Sequence, residues 1–205
     1  MRMIQQMISW LPQLLNGAKI TILLTLCAVS MGLLLSIFLA LGKMSKNKIL
    51  SGICSVYIFF FRGTPLLMQL YFIYFGLPQI NMALTINSRF FAAFLAFSLN
   101  SAAYCSEFIR AAIQSIDRGQ FEASKALGLS KAQTMRLVIF PQSIRRLVPS
   151  VANEFIMVLK DASLVSIIAL ADLTKVTRAI SSSTGTAMVY IPAMIIYLVM
   201  TAFFE

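Results

Sequence analysis

Long uncharged runs alternate along this chain with short segments in which basic residues gather. Ile20–Gly42 holds 23 residues without a charge, and Gly63–Ser88 and Ala179–Phe204 hold 26 each. About 20 consecutive apolar residues cross the roughly 30 Å hydrocarbon core of a bilayer. The pattern predicts five membrane-spanning helices, over about 19–42, 49–77, 89–113, 147–170 and 186–204. Ahead of the first, Ile4, Met7, Ile8, Leu11, Leu14 and Leu15 recur with a period near 3.6, which predicts a short amphipathic helix over 1–16. Two placements fit it: in the membrane interface with Trp10 as an anchor, or packed as the first turn of the bundle. The first uncharged run is too long for the apolar region of a secretory signal, so no cleavable signal peptide is expected.

Composition agrees with this class. Hydrophobic residues make up 59% of the 205, charged residues only 12%, and the mean hydropathy is +0.84. A soluble domain cannot hide that much apolar surface, so an all-α integral membrane protein is expected, with residues 1–205 as one transmembrane domain. The net charge of +10 follows the loops and gives no reason to expect nucleic acid. Lys43, Lys46 and Lys48 fill the first loop, and 107–146 holds seven basic residues against three acids. Both segments are expected on the cytoplasmic side, with 114–146 as a cytoplasmic loop, the N-terminus outside and the C-terminus inside. Lys175 and Arg178 then fall on the outer side, against the rule. There is no histidine, and Cys27, Cys54 and Cys105 are far apart in apolar runs. That spacing suits neither a metal site nor a disulfide framework.

Two stretches break the apolar pattern. In FFRGTPLLMQL, Arg62 interrupts the second span and Gly63-Thr64-Pro65 can end one helix and start another, with Thr64 as N-cap and Pro65 at the first helical position. A broken span of this kind faces protein or a cavity. Arg62 itself reads as a side chain snorkelling towards an interface. The second stretch, GQFEASKALGLSKAQTMRLVIFP over 119–141, resembles the surface of a soluble protein. Gly119 is expected to end the third span and Gln120–Leu127 to form a short helix. Gly128 is expected as a left-handed cap, and Ser130 with Gln133 as a capping box. A second helix should follow to Phe140, limited by Pro141. Two caps imply a rigid helix–turn–helix knob, suited to transmitting force to a partner.

The same stretch resembles the EAA loop of importer-type ABC transporter permeases. Their pattern is Glu-Ala-Ala, three residues, Gly, then about nine residues and Ile-x-x-Pro. Glu122-Ala123-Ser124, Gly128 and Leu137–Pro141 match it, with Ser124 replacing the second alanine. FRGTPLLMQL (61–70), NSAAYCSEFIRAAI (100–113) and KDASLVS (160–166) are similar to the polar amino acid branch of that family, Ala162 standing where threonine is usual. The resemblance implies a five-helix, type I importer-like bundle with a cytoplasmic coupling helix, in a bacterial inner membrane. It implies a second permease chain, identical or paralogous, and a dimer of cytosolic ATPases. An extracytoplasmic binding protein is implied as well. Glu122, Ala123 and Gly128 would be the ATPase-docking positions, with Ala126, Leu127 and Leu129 nearby. No GxxxxGK[ST] loop is present, so no nucleotide site is expected in this chain; ATP and Mg would belong to the partner ATPase, and the chain would be a transport subunit and not an enzyme.

Glu154 and Asp161 are seven residues apart, about two turns less 20°, and so share one face of the fourth span, with Val158 between them. Ionisable groups inside a span are costly and face an interior. Two acids on one stripe would attract an α-amino group or a guanidinium. In the family resembled, the third and fourth spans line the path. The candidate substrate-binding set is therefore Asn100, Glu154, Val158, Asp161 and Ser163. Alternatives stay open: Asp161 can pair with Lys160 or cap a helix break, and Glu154 can pair with Arg145, Arg146 or a neighbouring chain. Glu107 and Arg110, three apart, are expected to pair, and Arg145 and Arg146 to mark a membrane boundary. Basic amino acids, arginine, histidine or lysine, are the favoured substrates, with glutamine next. Two other functions fit the acids: a secondary transporter or cation channel coupling ions through Glu154 and Asp161, or a membrane scaffold through which nothing passes.

Overall fold

A computed structural model describes the backbone of residues 2–205 and the side chains from Gln5 onward. Met1 and the side chain of Ile4, the first member of the amphipathic repeat, lie outside the described residues. Among those described, all regular structure is helical: α1 (Arg2–Lys43), α2 (Lys48–Gly63), α3 (Leu66–Tyr71), α4 (Leu77–Ile80), α5 (Arg89–Gln114), α6 (Arg118–Ala126), α7 (Lys131–Gln133), α8 (Phe140–Asp161), α9 (Leu173–Thr184) and α10 (Tyr190–Phe204). A π turn at Phe72–Gly76 joins α3 to α4 and another at Thr134–Ile139 joins α7 to α8, while Ala162–Ile168 continues α8 as a 3₁₀ helix. By length and apolar composition, Gln5–Lys43 and Ala187–Phe204 can each cross a membrane. Lys48–Gly63 and Leu66–Ile80, bent by 103°, make a third span if taken as one. α5 and α8 are less apolar: α5 buries Ser98, Asn100, Ser101 and Ser106, while α8 buries Ser143 and Glu154 and exposes Arg145, Arg146, Asn153 and Lys160.

α5 is the centre of the bundle. Ser88 caps its start, accepting from Phe91 N at 3.2 Å, as the predicted boundary near Arg89 requires. Ala92, Ala93, Ala96, Ala102 and Ala103 are fully buried along it. Small residues let helix backbones approach closely where lipid gives no hydrophobic drive for helix association. α1 supplies the matching surface: a Cβ on Gly32 would lie 2.9 Å from Ser101 Cβ.

The expected separate N-terminal helix is instead the first part of α1, which runs through Asn16-Gly17 without a break. At about 1.5 Å per residue, α1 is about 63 Å long, twice the hydrocarbon thickness. Gly17 is there for contact: a Cβ on it would sit 2.9 Å from Leu173 Cα. Thr21 on the next turn accepts from Leu173 N at 3.2 Å. Trp10 and Leu14 are buried with Leu159, Leu173, Ile180 and Val189, so this segment packs as a part of the bundle.

α9 replaces the loop expected around Lys175 and Arg178. Its composition is polar, but its ends are well specified. Asp172, fully buried, accepts from Thr174 N at 2.9 Å and Lys175 N at 3.0 Å, and Gly185 closes the helix at φ 66°. Pro192 falls in the first turn of α10, where its missing N–H leaves no bond unmade.

Gly17→Ala should lower the thermal unfolding midpoint of the purified protein by several degrees, because the added methyl meets backbone and overpacking costs about 1–3 kcal/mol. Gly52→Ala, with nothing within 4 Å, should leave the midpoint unchanged or raise it.

Candidate functional site

Pro65 has no N–H and drives the residue before it out of the helical region. Thr64 is accordingly extended (φ −117°, ψ 146°), and α2 ends at Gly63. Thr64 does not cap the next helix as expected. Its hydroxyl donates to Phe60 O at 2.8 Å, and Pro65 occupies the N-cap position ahead of Leu66. The break leaves carbonyls that hydrocarbon cannot solvate. Gln69, 6% exposed, reaches back and donates Nε2 to Phe61 O (2.9 Å), Thr64 O (3.0 Å) and Thr64 Oγ1 (2.8 Å). Asn100 on α5 donates Nδ2 to the same Phe61 O and to Gln69 Oε1, both at 3.0 Å.

Beside the break is a cavity of about 330 Å³. Arg62 to Leu66 line one side, Asn100 and Tyr104 of α5 a second, and Glu154, Met157, Val158 and Asp161 of α8 the third. Four of the five expected binding residues are thus brought together. Glu154 is 3% exposed, with the Ser101 hydroxyl of α5 set against its carboxyl, and Asp161 is exposed at the rim. Asn100 has committed both amide donors to the break, so its carbonyl oxygen is what it can offer a guest. Ser163 is placed elsewhere, in a depression with Lys160, Met194 and Tyr197. Among the described residues, neither Glu154 nor Asp161 forms an ion pair, with Lys160, Arg145, Arg146 or any other base.

The ion pairs converge on Glu107. Arg110 Nη2 lies 2.7 Å from it, as the spacing predicts, Lys43 Nζ of α1 lies 2.8 Å away, and Arg62 Nη1 stands off at 3.9 Å. Arg62 also lies over the Tyr104 ring, 5.3 Å from its centroid. Sequence reasoning read Arg62 only as a snorkelling side chain and missed Tyr104 and Gln69. The available signal was the adjacency of Arg62 to the Gly-Thr-Pro break.

The loop over 114–146 is compact. Gly119 does not end the third span. The break comes at Ser115–Asp117, and Gly119 lies in the first turn of α6, where its N–H reaches Asp117 Oδ1 at 2.7 Å. α6 closes as a Schellman motif: Gly128 (φ 75°) donates to Lys125 O and Leu129 N to Ser124 O, both at 3.0 Å. The Ser130/Gln133 capping box has both halves, at 3.3 and 2.9 Å. Ser124 is 3% exposed and donates to Gln120 O at 2.7 Å, so only a small residue fits there. The expected docking positions Glu122, Ala123, Ala126, Leu127 and Gly128 are exposed, Leu127 by 80%, and Leu129 is partly covered.

Pro141 does not limit the following helix. The π turn ahead of it takes up the geometry that its ring disallows, with Phe140 N donating to Met135 O, and Lys131–Asp161 is one continuous rod. Gln142 Nε2 donates to Gln120 Oε1 at 3.0 Å, Arg146 to Ser115 O, and Ile113, Ile116 and Ile139 pack together. The loop is therefore fixed to α8, which carries both acids of the cavity.

Residues 32–205 match the family model described as the binding-protein-dependent transport system inner membrane component. The chain belongs to this family. It is 36% identical to the nopaline transport system permease protein NocM of Agrobacterium fabrum, over 97% of this chain and 86% of that one. It is 41% identical to the arginine transport system permease protein ArtQ of Bacillus subtilis, over 80% and 74%. A solved structure described as an amino acid ABC transporter with histidines superposes with a TM-score of 0.92 at 44% identity, covering 98% of this chain and 92% of that one. The MetNI methionine transporter, at 17% identity and a TM-score of 0.76, shares the fold. The chain is thus an all-α permease subunit of an amino acid ABC importer in the inner membrane, and not itself an enzyme. An ion-coupled carrier is not favoured by these relationships.

Gln69→Leu should cost this permease about 1–3 kcal/mol by leaving Phe61 and Thr64 carbonyls short of donors. A fall in the unfolding midpoint of the detergent-purified protein, absent from the exposed control Gln79→Leu, checks it.

Proposed function

We propose that this chain forms the path of an importer for a basic amino acid, with arginine, lysine or histidine ahead of glutamine. The observation that carries the reading is the cavity at the α2/α3 break, where Glu154 and Asp161 face a guest and, among the described residues, no cation is bound to either. Glu154 is buried and Asp161 stands at the rim, and a transported ammonium or guanidinium would supply both with a cationic partner transiently. The resemblance to a permease named for arginine transport, and to a transporter solved with histidines, supports the same class.

In this reading α1, α2 with α3, α5, α8 and α10 are the five spans, with the N-terminus outside and the α6 loop in the cytoplasm. A dimer of ATPases, holding ATP and Mg, grips α6 through Glu122, Ala123 and Gly128, with Ala126, Leu127 and Leu129 alongside. A second permease chain and an extracytoplasmic binding protein complete the importer. Movement of α6 passes to the cavity through the rod that ends at Asp161.

Uptake of labelled arginine, histidine and glutamine into liposomes holding the complete importer tests this. Arginine or histidine should enter only with ATP, and Glu154→Gln should cut that uptake at least about tenfold while basal ATP hydrolysis persists. Glutamine entering best, with the variant unaffected, would overturn the substrate class.

A further inference from the structure

We propose that Arg62 reads the carboxylate of the transported amino acid, so that the cavity accepts the zwitterion and rejects the corresponding decarboxylated amine. The inference rests on the reading of the cavity as an amino acid site and adds a specificity residue to it. Arg62 lines the same cavity as Glu154 and Asp161 but comes from the end of α2. It is held as well as placed, because its guanidinium lies over the Tyr104 ring.

Its donors are unspent. The nearest acid, Glu107, is 3.9 Å away and is already served at shorter range by Lys43 (2.8 Å) and Arg110 (2.7 and 3.1 Å to Oε2). Among the described residues, Arg62 makes no side-chain hydrogen bond. A guanidinium presents five N–H donors in a planar fork that matches a carboxylate. In a site built for a bare cation this arginine would be a liability, since it weakens the pull of the two acids. Arginine and lysine each carry two cationic groups and one carboxylate at neutral pH. Two acids and one arginine form the complementary set.

Equilibrium binding to the purified permease–ATPase complex, without the binding protein, separates this role from a structural one. The probes are labelled arginine and agmatine, which is arginine without its carboxylate. The wild type should bind arginine at least about tenfold more tightly than agmatine, and Arg62→Gln should erase that preference by weakening arginine alone. Arg62→Lys should restore part of it, and Glu107→Gln, which removes the neighbouring acid but not Arg62, should keep it. Glu154→Gln should weaken both ligands together, which marks the acids' contribution. Arginine binding unchanged in Arg62→Gln, or both ligands weakened equally in a complex that unfolds at the wild-type temperature, would overturn the role of Arg62. A folded wild type that binds neither probe would overturn the basic amino acid reading as well.

Discussion

An interrupted helix inside a membrane must satisfy its own backbone, and most of what is distinctive in this permease follows from how it does so. Pro65 opens the second span, and the carbonyls of Phe61 and Thr64 lose their helical donors. Gln69 returns donors from the next helix and Asn100 brings one across from α5. Once the break is held from two directions, it becomes a fixed wall. A cavity can form against it because the chain turns by 103° instead of passing straight through.

The polar groups are divided between two tasks. Asn100 and Gln69 are spent on the scaffold, while Glu154 and Asp161, among the described residues, are left without a basic partner. Glu107 shows the opposite arrangement, a carboxylate with more cations around it than it can hold. The excess falls on the cavity side, where Arg62 stands. An acid that is over-satisfied in one place thus makes a base available in another, about one side-chain length away.

Much of this was legible in the residues, and the failures share a cause. Gly128, Ser130 with Gln133, and the break at Gly63-Thr64-Pro65 act locally, so their positions could be read directly, although the N-cap falls on Pro65 and not on Thr64. Gly119 and Pro141 were misread, and the helix expected over 1–16 runs on through Gly17, because a breaker residue has a second use that depends on what lies across from it. Gly17 meets the backbone of Leu173, Gly119 fits the first turn of a helix begun by Asp117, and a π turn accommodates Pro141. α9 was missed because its apolar residues are few and its start depends on a buried Asp172 anchored by the fold around it. Arg62 was read as an interface residue because sequence alone does not reveal that Lys43, 19 positions earlier, already neutralises its nearest acid.

The π turn at Thr134–Ile139 bears on more than the proline beside it. A wide turn holds one more residue than an α turn, and each residue of an α-helix advances about 100°. Without that extra residue, the same rod would aim the acids of α8 about 100° away from the cavity while the loop at its other end kept its bearing. The turn sets the angular phase between the α6 loop at one end of the rod and the cavity at the other. Chain length between Ser130 and Glu154 therefore fixes how the two ends face one another. A single inserted or deleted residue there would leave both ends intact and put them out of step.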